Sequence, residues 1–77
     1  MNKLKLKEFN EQHIVYLYQP EGRGEFGEVV YEFAERTARI TKRASENSTW
    51  HDNKAMVKVE ECVNKKNLPM ELTQAWY

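Results

Sequence analysis

Apolar and polar residues alternate from the start of the chain. Lys3-Leu4-Lys5-Leu6-Lys7 places a leucine at every second position. This predicts a half-buried strand over 3–9 whose lysines face solvent and suit a sheet edge. Residues 13–19 (His-Ile-Val-Tyr-Leu-Tyr-Gln) are apolar on both parities and rich in β-formers, the pattern of a central strand. Pro20-Glu21-Gly22-Arg23-Gly24 is the strongest turn signal in the chain. Residues 25–33 and 38–43 then read as two further strands, with a connection over 34–37. A polar loop over 44–52 contains one conspicuous Trp50.

The period changes after this loop. Ala55, Met56, Val59, Cys62 and Val63 recur at helical spacing and form one apolar stripe, which predicts a helix over 53–66. Asp52 is the expected N-cap, with Asn53 and Thr49 as competitors. Asn67 is expected to take the left-handed position after the helix, and Pro69 ends it. In the tail Met70 and Leu72 alternate before Ala75-Trp76-Tyr77, so 70–77 reads as a short fifth strand, with a helical turn as the alternative. The fold class that follows is α+β: a single domain over 1–77, an antiparallel β-meander of four or five strands with one α-helix packed on one face.

Charge suggests a register for the last hairpin. Residues 25–35 carry four acids and no base, and residues 36–43 carry four bases and no acid. Setting Phe33 opposite Ala38 places Glu32 on Arg39, Glu28 on Arg43 and Tyr31 on Ile40, with charges on one face and apolar groups on the other. The basic run is then neutralised by its neighbour. Net charge is zero, from 12 basic and 12 acidic residues, which argues against nucleic acid as a partner.

With 77 residues, the chain buries only about 60% of its unfolded surface. The lone Cys62 allows no internal disulfide, so self-association is an expected source of stability. No apolar run reaches the length of a membrane span, and the basic start is not followed by a signal-type apolar region. The expected location is the cytoplasm, with no membrane partner.

Gly22-Arg23-Gly24-Glu25-Phe26-Gly27-Glu28-Val29 matches G-x-G-x-x-G, but a strand and not a helix follows it, and the chain has no room for the remaining parts of a nucleotide site. The expected roles are positive φ at Gly22 and Gly24, and a bulge or close packing at Gly27. His13, His51, Asp52 and Cys62 stand in no metal-ligand spacing, and Cys62 lies on the apolar stripe as a small hydrophobe. No catalytic set, cofactor, metal or small-molecule substrate is expected.

Aromatic residues make up 12% of the chain. One helix covers one face of a sheet, so some aromatics are expected on the other face, beside arginines and glutamates, in the manner of an interface. The candidate interaction surface is Tyr18, Arg23, Phe26, Glu28, Arg39, Arg43, Trp76 and Tyr77. The expected function is a non-catalytic protein-interaction or structural module, with a homodimer as one form of it. The alternatives are a regulatory binder of a larger protein, of the immunity or antitoxin kind, and a sheet that stacks single-stranded nucleic acid.

Tyr16-Leu17-Tyr18-Gln19-Pro20-Glu21-Gly22, the later Gly27 with its valine pair, Leu68-Pro69 after the helix and the final Ala75-Trp76-Tyr77 together resemble a group of small bacterial proteins with no assigned function. The resemblance covers most of the chain. It implies an ordered tail and no activity, substrate or site.

Overall fold

The computed structural model of the chain describes residues 1–44 and 49–75. In chain order the elements are β1 (Asn2–Phe9), β2 (His13–Pro20), β3 (Gly27–Glu32), β4 (Thr37–Lys42), α1 (Thr49–Asn64) and β5 (Glu71–Gln74). They form one antiparallel five-stranded sheet in the order β4-β3-β2-β1-β5, with the single helix on one face. The first four strands are a meander. The tail is a strand, as its alternation predicts, and it pairs with β1. The lysine-rich β1 is therefore an interior strand and not the expected edge. Sequence periodicity reports which face a side chain takes, whereas the neighbour on the far side arrives from 70 residues away.

The inward face follows from parity. Leu4 lies opposite Tyr18, Leu6 opposite Tyr16, Tyr16 opposite Val29 and Ile14 opposite Tyr31. Residues directly opposite share a face, so three tyrosines and their aliphatic neighbours all point at the helix. Ala55 and Val59 of α1 close this core, both fully buried.

The β1–β2 turn is held by Asn10, whose Oδ1 accepts from the backbone amides of Gln12 and His13 at 2.8 and 2.9 Å. The β2–β3 turn takes positive φ at Glu21, Gly22 and Gly24. Gly27 is needed for packing instead. A Cβ there would lie 2.4 Å from Tyr18 Cε1 and 2.6 Å from the Lys42 carbonyl oxygen.

The β3–β4 register differs from the one that charge suggests. Ala38 lies opposite Tyr31, not Phe33, and Thr37 lies opposite Glu32. Arg36 takes a left-handed φ of 54°, and its amide donates to the Glu32 carbonyl at 2.8 Å, so the connection is Phe33 to Arg36, one residue earlier than expected, and from Val29 to Glu32 each β3 residue meets a β4 residue two positions back. A two-residue slip keeps every side chain on its face. It sets Tyr31 against the small Ala38 beneath the helix, a packing preference that outweighs exposed ion pairs worth up to about 1 kcal/mol each. Glu32 still meets Arg39 diagonally, at 3.2 Å. Glu28 and Arg43 do not meet. The register shifts between Glu28 and Val29, so Lys42 lies opposite Glu28 and Arg43 turns to the helix side.

The helix begins at Thr49, three residues before the expected cap. Asp52 lies inside its first turn and not at the cap position, and it is buried. Its carboxylate is taken by tertiary partners described below. The position before Thr49 lies outside the described residues. At the other end, Lys66 and not Asn67 takes the left-handed conformation, with φ 54°. The Lys66 amide donates to the Val63 carbonyl and the Asn67 amide to that of Cys62, both at 3.0 Å, a Schellman ending one residue earlier than expected.

Gly27→Ala is expected to destabilise the fold by about 2 kcal/mol or more, because the Tyr18 ring is tethered and the Lys42 contact is backbone. Urea denaturation measures this. A midpoint equal to wild type would show that the ring and β4 move aside freely.

Candidate functional site

Two surfaces lie at the margins of the core. The first is the sheet face opposite the helix. Val15, Leu17 and Val30 alternate outward here, and Val15 and Val30 are nevertheless only 8% exposed. No secondary-structure element covers them among the described residues. Long charged side chains lie over them instead. Lys7, the extra residue of a bulge in β1, reaches across β2 to bind Glu28 at 3.2 Å. Its methylene stem covers apolar surface while its ammonium stays wet. Lys5 pairs with Glu71 at 3.8 Å, and His13 with Glu8.

One row of this face spans all five strands. Glu71 lies opposite Lys5, Lys5 opposite Leu17, Leu17 opposite Glu28 and Glu28 opposite Lys42. Phe26, half-buried, forms a hollow of about 250 Å³ beside this row with Lys3, Lys5, Glu71 and Thr73. The acids and bases are interleaved, so no continuous phosphate-binding stripe exists on the described part of the face.

The second surface is an apolar groove of about 220 Å³ at the end of the sheet where β1 finishes, lined by Phe9, Ile14, Phe33, Val63, Lys66 and Leu68. Phe9 is 58% exposed and Phe33 is 36% exposed. Phe33 is held edge-on to Tyr31 with ring centroids 5.5 Å apart.

The residues expected on an interaction surface are distributed among several places. Glu28, Phe26 and Arg39 lie on the open face. Arg23 is exposed in the β2–β3 turn. Tyr18 is fully buried on the opposite face and can meet no partner in the folded state. Arg43 leaves the open face for Asp52. Trp76 and Tyr77 lie outside the described residues. Lys5, Lys7, Leu17, Lys42 and Glu71 complete the face and were not among the expected residues. The 3-5-7 parity of the lysines pointed to the face, but no local signal places Glu71 beside them or reveals the β4 bulge that turns Lys42 there.

Between sheet and helix lies a buried polar cluster. The Tyr18 hydroxyl donates to Asp52 Oδ1 at 2.6 Å and accepts from the Ala44 amide at 3.3 Å, while Arg43 Nε donates to Asp52 Oδ2 at 3.0 Å. Tyr16 donates similarly to the Pro69 carbonyl at 2.6 Å. Burial pushes both tyrosine hydroxyls up to about 12, helped at Tyr16 by the Cys62 thiol and at Tyr18 by the hydrogen bond to Asp52. Burial likewise raises the Cys62 thiol, the reverse of what a nucleophile needs. Each tyrosine ties the sheet to one end of the helical segment, an arrangement suited to holding the layers together. Among the described residues no three His, Cys, Asp or Glu side chains converge on a common point, and no helix is long and apolar enough to cross a membrane.

No protein-family model, curated protein or solved structure significantly matches the chain.

Two outcomes follow from the buried cluster. Tyr18→Phe is expected to cost about 1–3 kcal/mol, because a buried carboxylate oxygen and the Ala44 amide each lose a partner; a loss below a few tenths in urea denaturation would show that water replaces the hydroxyl. The two tyrosines also set an alkaline limit. A hydroxyl whose folded pKa is raised from 10.0 to about 12 stabilises the fold fully below pH 10 and loses that stabilisation as pH rises to about 12. Unfolding midpoints should therefore fall over this window, less steeply in Tyr18→Phe than in wild type. Equal slopes would exclude Tyr18 as a source.

Proposed function

We propose that this protein is a non-catalytic interaction module that associates with itself through the open face of its sheet. The observation that carries this reading is the face itself. It holds three outward aliphatic side chains and Phe26, and its only cover among the described residues is a set of partly exposed charged pairs. The small core supports the reading too, since a domain of this size gains most from any surface it can bury against a second copy. The β4 edge is a poorer candidate, because Glu60 of the helix accepts from the Ala38 amide at 2.9 Å and blocks the start of that edge.

The groove between Phe9 and Phe33 favours a second reading, a regulatory binder that takes an apolar side chain of a larger protein. In that case Phe9→Ser would abolish binding of the partner while leaving stability and self-association unchanged.

Sedimentation analysis over a concentration series tests the first reading. The mean mass should rise from 9.2 kDa towards twice that value as concentration approaches about 1 mM. A constant monomer mass over the whole series would reject it.

A further inference from the structure

The row that crosses the open face has a symmetry that single-strand patterns do not show. From β5 to β4 its residues are Glu71, Lys5, Leu17, Glu28 and Lys42, each directly opposite the next. Their charges run negative, positive, neutral, negative, positive. Reversed about Leu17, the row becomes positive, negative, neutral, positive, negative. Every charge then falls on its opposite. β2 is the middle strand of five, so the centre of the row is also the centre of the sheet.

We infer that the partner this face fits is a second copy of the chain, stacked face to face about a two-fold axis that lies along β2 at Leu17. The inference rests on the self-association reading above and specifies its geometry. Such an axis places Lys5 over Glu28 of the second copy, Glu71 over Lys42, and Leu17 over its own counterpart. Each contact occurs twice, as an isologous interface requires. Two stacked sheets lie about 10 Å apart and cross at about 30°, a gap and an offset that paired lysine and glutamate side chains can span.

The charges already have neighbours within one molecule. Those neighbours hold weakly, however. The Lys5–Glu71 pair is 3.8 Å long with side chains 54% and 68% exposed, and pairs of this kind are worth up to about 1 kcal/mol and exchange readily. In the stacked arrangement Lys5 keeps Glu71 and Glu28 keeps Lys7, each charge of the row gains a facing partner, and the half-buried Leu17 loses water. Reversal of the row also excludes partners of uniform charge, because any such surface repels half of it.

The contact is small. Five strands spaced about 4.8 Å apart, with about six residues each, offer roughly 500 Å² per partner and roughly 1,000 Å² in all, the lower end for a specific interface. The dimer is therefore weak, concentration-dependent and loosened by salt.

A charge swap tests it. One variant carries Lys5→Glu with Lys42→Glu, so that its row is wholly acidic. The other carries Glu28→Lys with Glu71→Lys, so that its row is wholly basic. Sedimentation is run on each alone and on an equimolar mixture, with far-ultraviolet circular dichroism confirming that both are folded. Each alone should associate at least about tenfold more weakly than wild type, and the mixture should recover a one-to-one dimer. Leu17→Asp, which sets like charges on the axis, should also weaken association about tenfold and decides the matter should the charge variants fail to fold. If wild type associates and none of these variants alters it, another surface is used; the stacked geometry is wrong and the self-association reading stands. Two monomeric charge variants that do not recover when mixed would also overturn the geometry. A wild type that stays monomeric at all concentrations overturns both.

Discussion

The Tyr18 hydroxyl donates to the buried carboxylate of Asp52, and most of the structure depends on that bond. It joins the middle strand of the sheet to the first turn of the helix. It also draws Arg43 off the sheet surface and holds the Ala44 amide, and so fixes where the chain leaves β4. Gly27 lies under the same ring because nothing larger fits between Tyr18 and Lys42. At the far end Tyr16 performs a parallel task through the Pro69 carbonyl, setting the point where the chain turns into β5. The two tyrosines are thus both core and fastening, with apolar rings under the helix and polar tips that satisfy buried backbone and carboxylate groups.

This arrangement decides what the other face can be. With Tyr16, Tyr18 and Tyr31 all inward, the open face keeps aliphatic side chains, Phe26 and charge. Its shelter is a lattice of long charged side chains and ion pairs, and among the described residues no element lies above Val15 and Val30, which are 8% exposed. A lattice of weak pairs protects a monomer and still yields to a better-matched surface. The row through Leu17 matches itself under a two-fold rotation, which makes a second copy the simplest surface of that kind.

Much of the fold was legible in the residues. Alternation at Leu4 and Leu6, apolar residues on both parities around Tyr16 and the helical stripe from Ala55 to Val63 each report burial through a local period, and the strands, helix and β5 follow from them. The expected cap at Asp52 was wrong for an instructive reason. An aspartate near a helix start satisfies either the helix's own amides or a partner from another element, and its chemistry is the same in both. Similarly, the charge match between residues 25–35 and 36–43 correctly placed Glu32 near Arg39 but missed the register, because exposed pairs tolerate a two-residue slip whereas Tyr31 packed against Ala38 does not.

Composition, spacing and parity thus determined by themselves the class of fold, the elements and the alternation of faces within β1 and the helix, since these depend on neighbours within a few residues. Tertiary structure alone decided that β1 is interior, that Tyr18 is buried, that Arg43 and Lys42 part to opposite faces, and that Glu71 joins Lys5 in one row. Those outcomes depend on contacts between residues tens of positions apart and on a single bulge that reverses parity. No local pattern carries information about either.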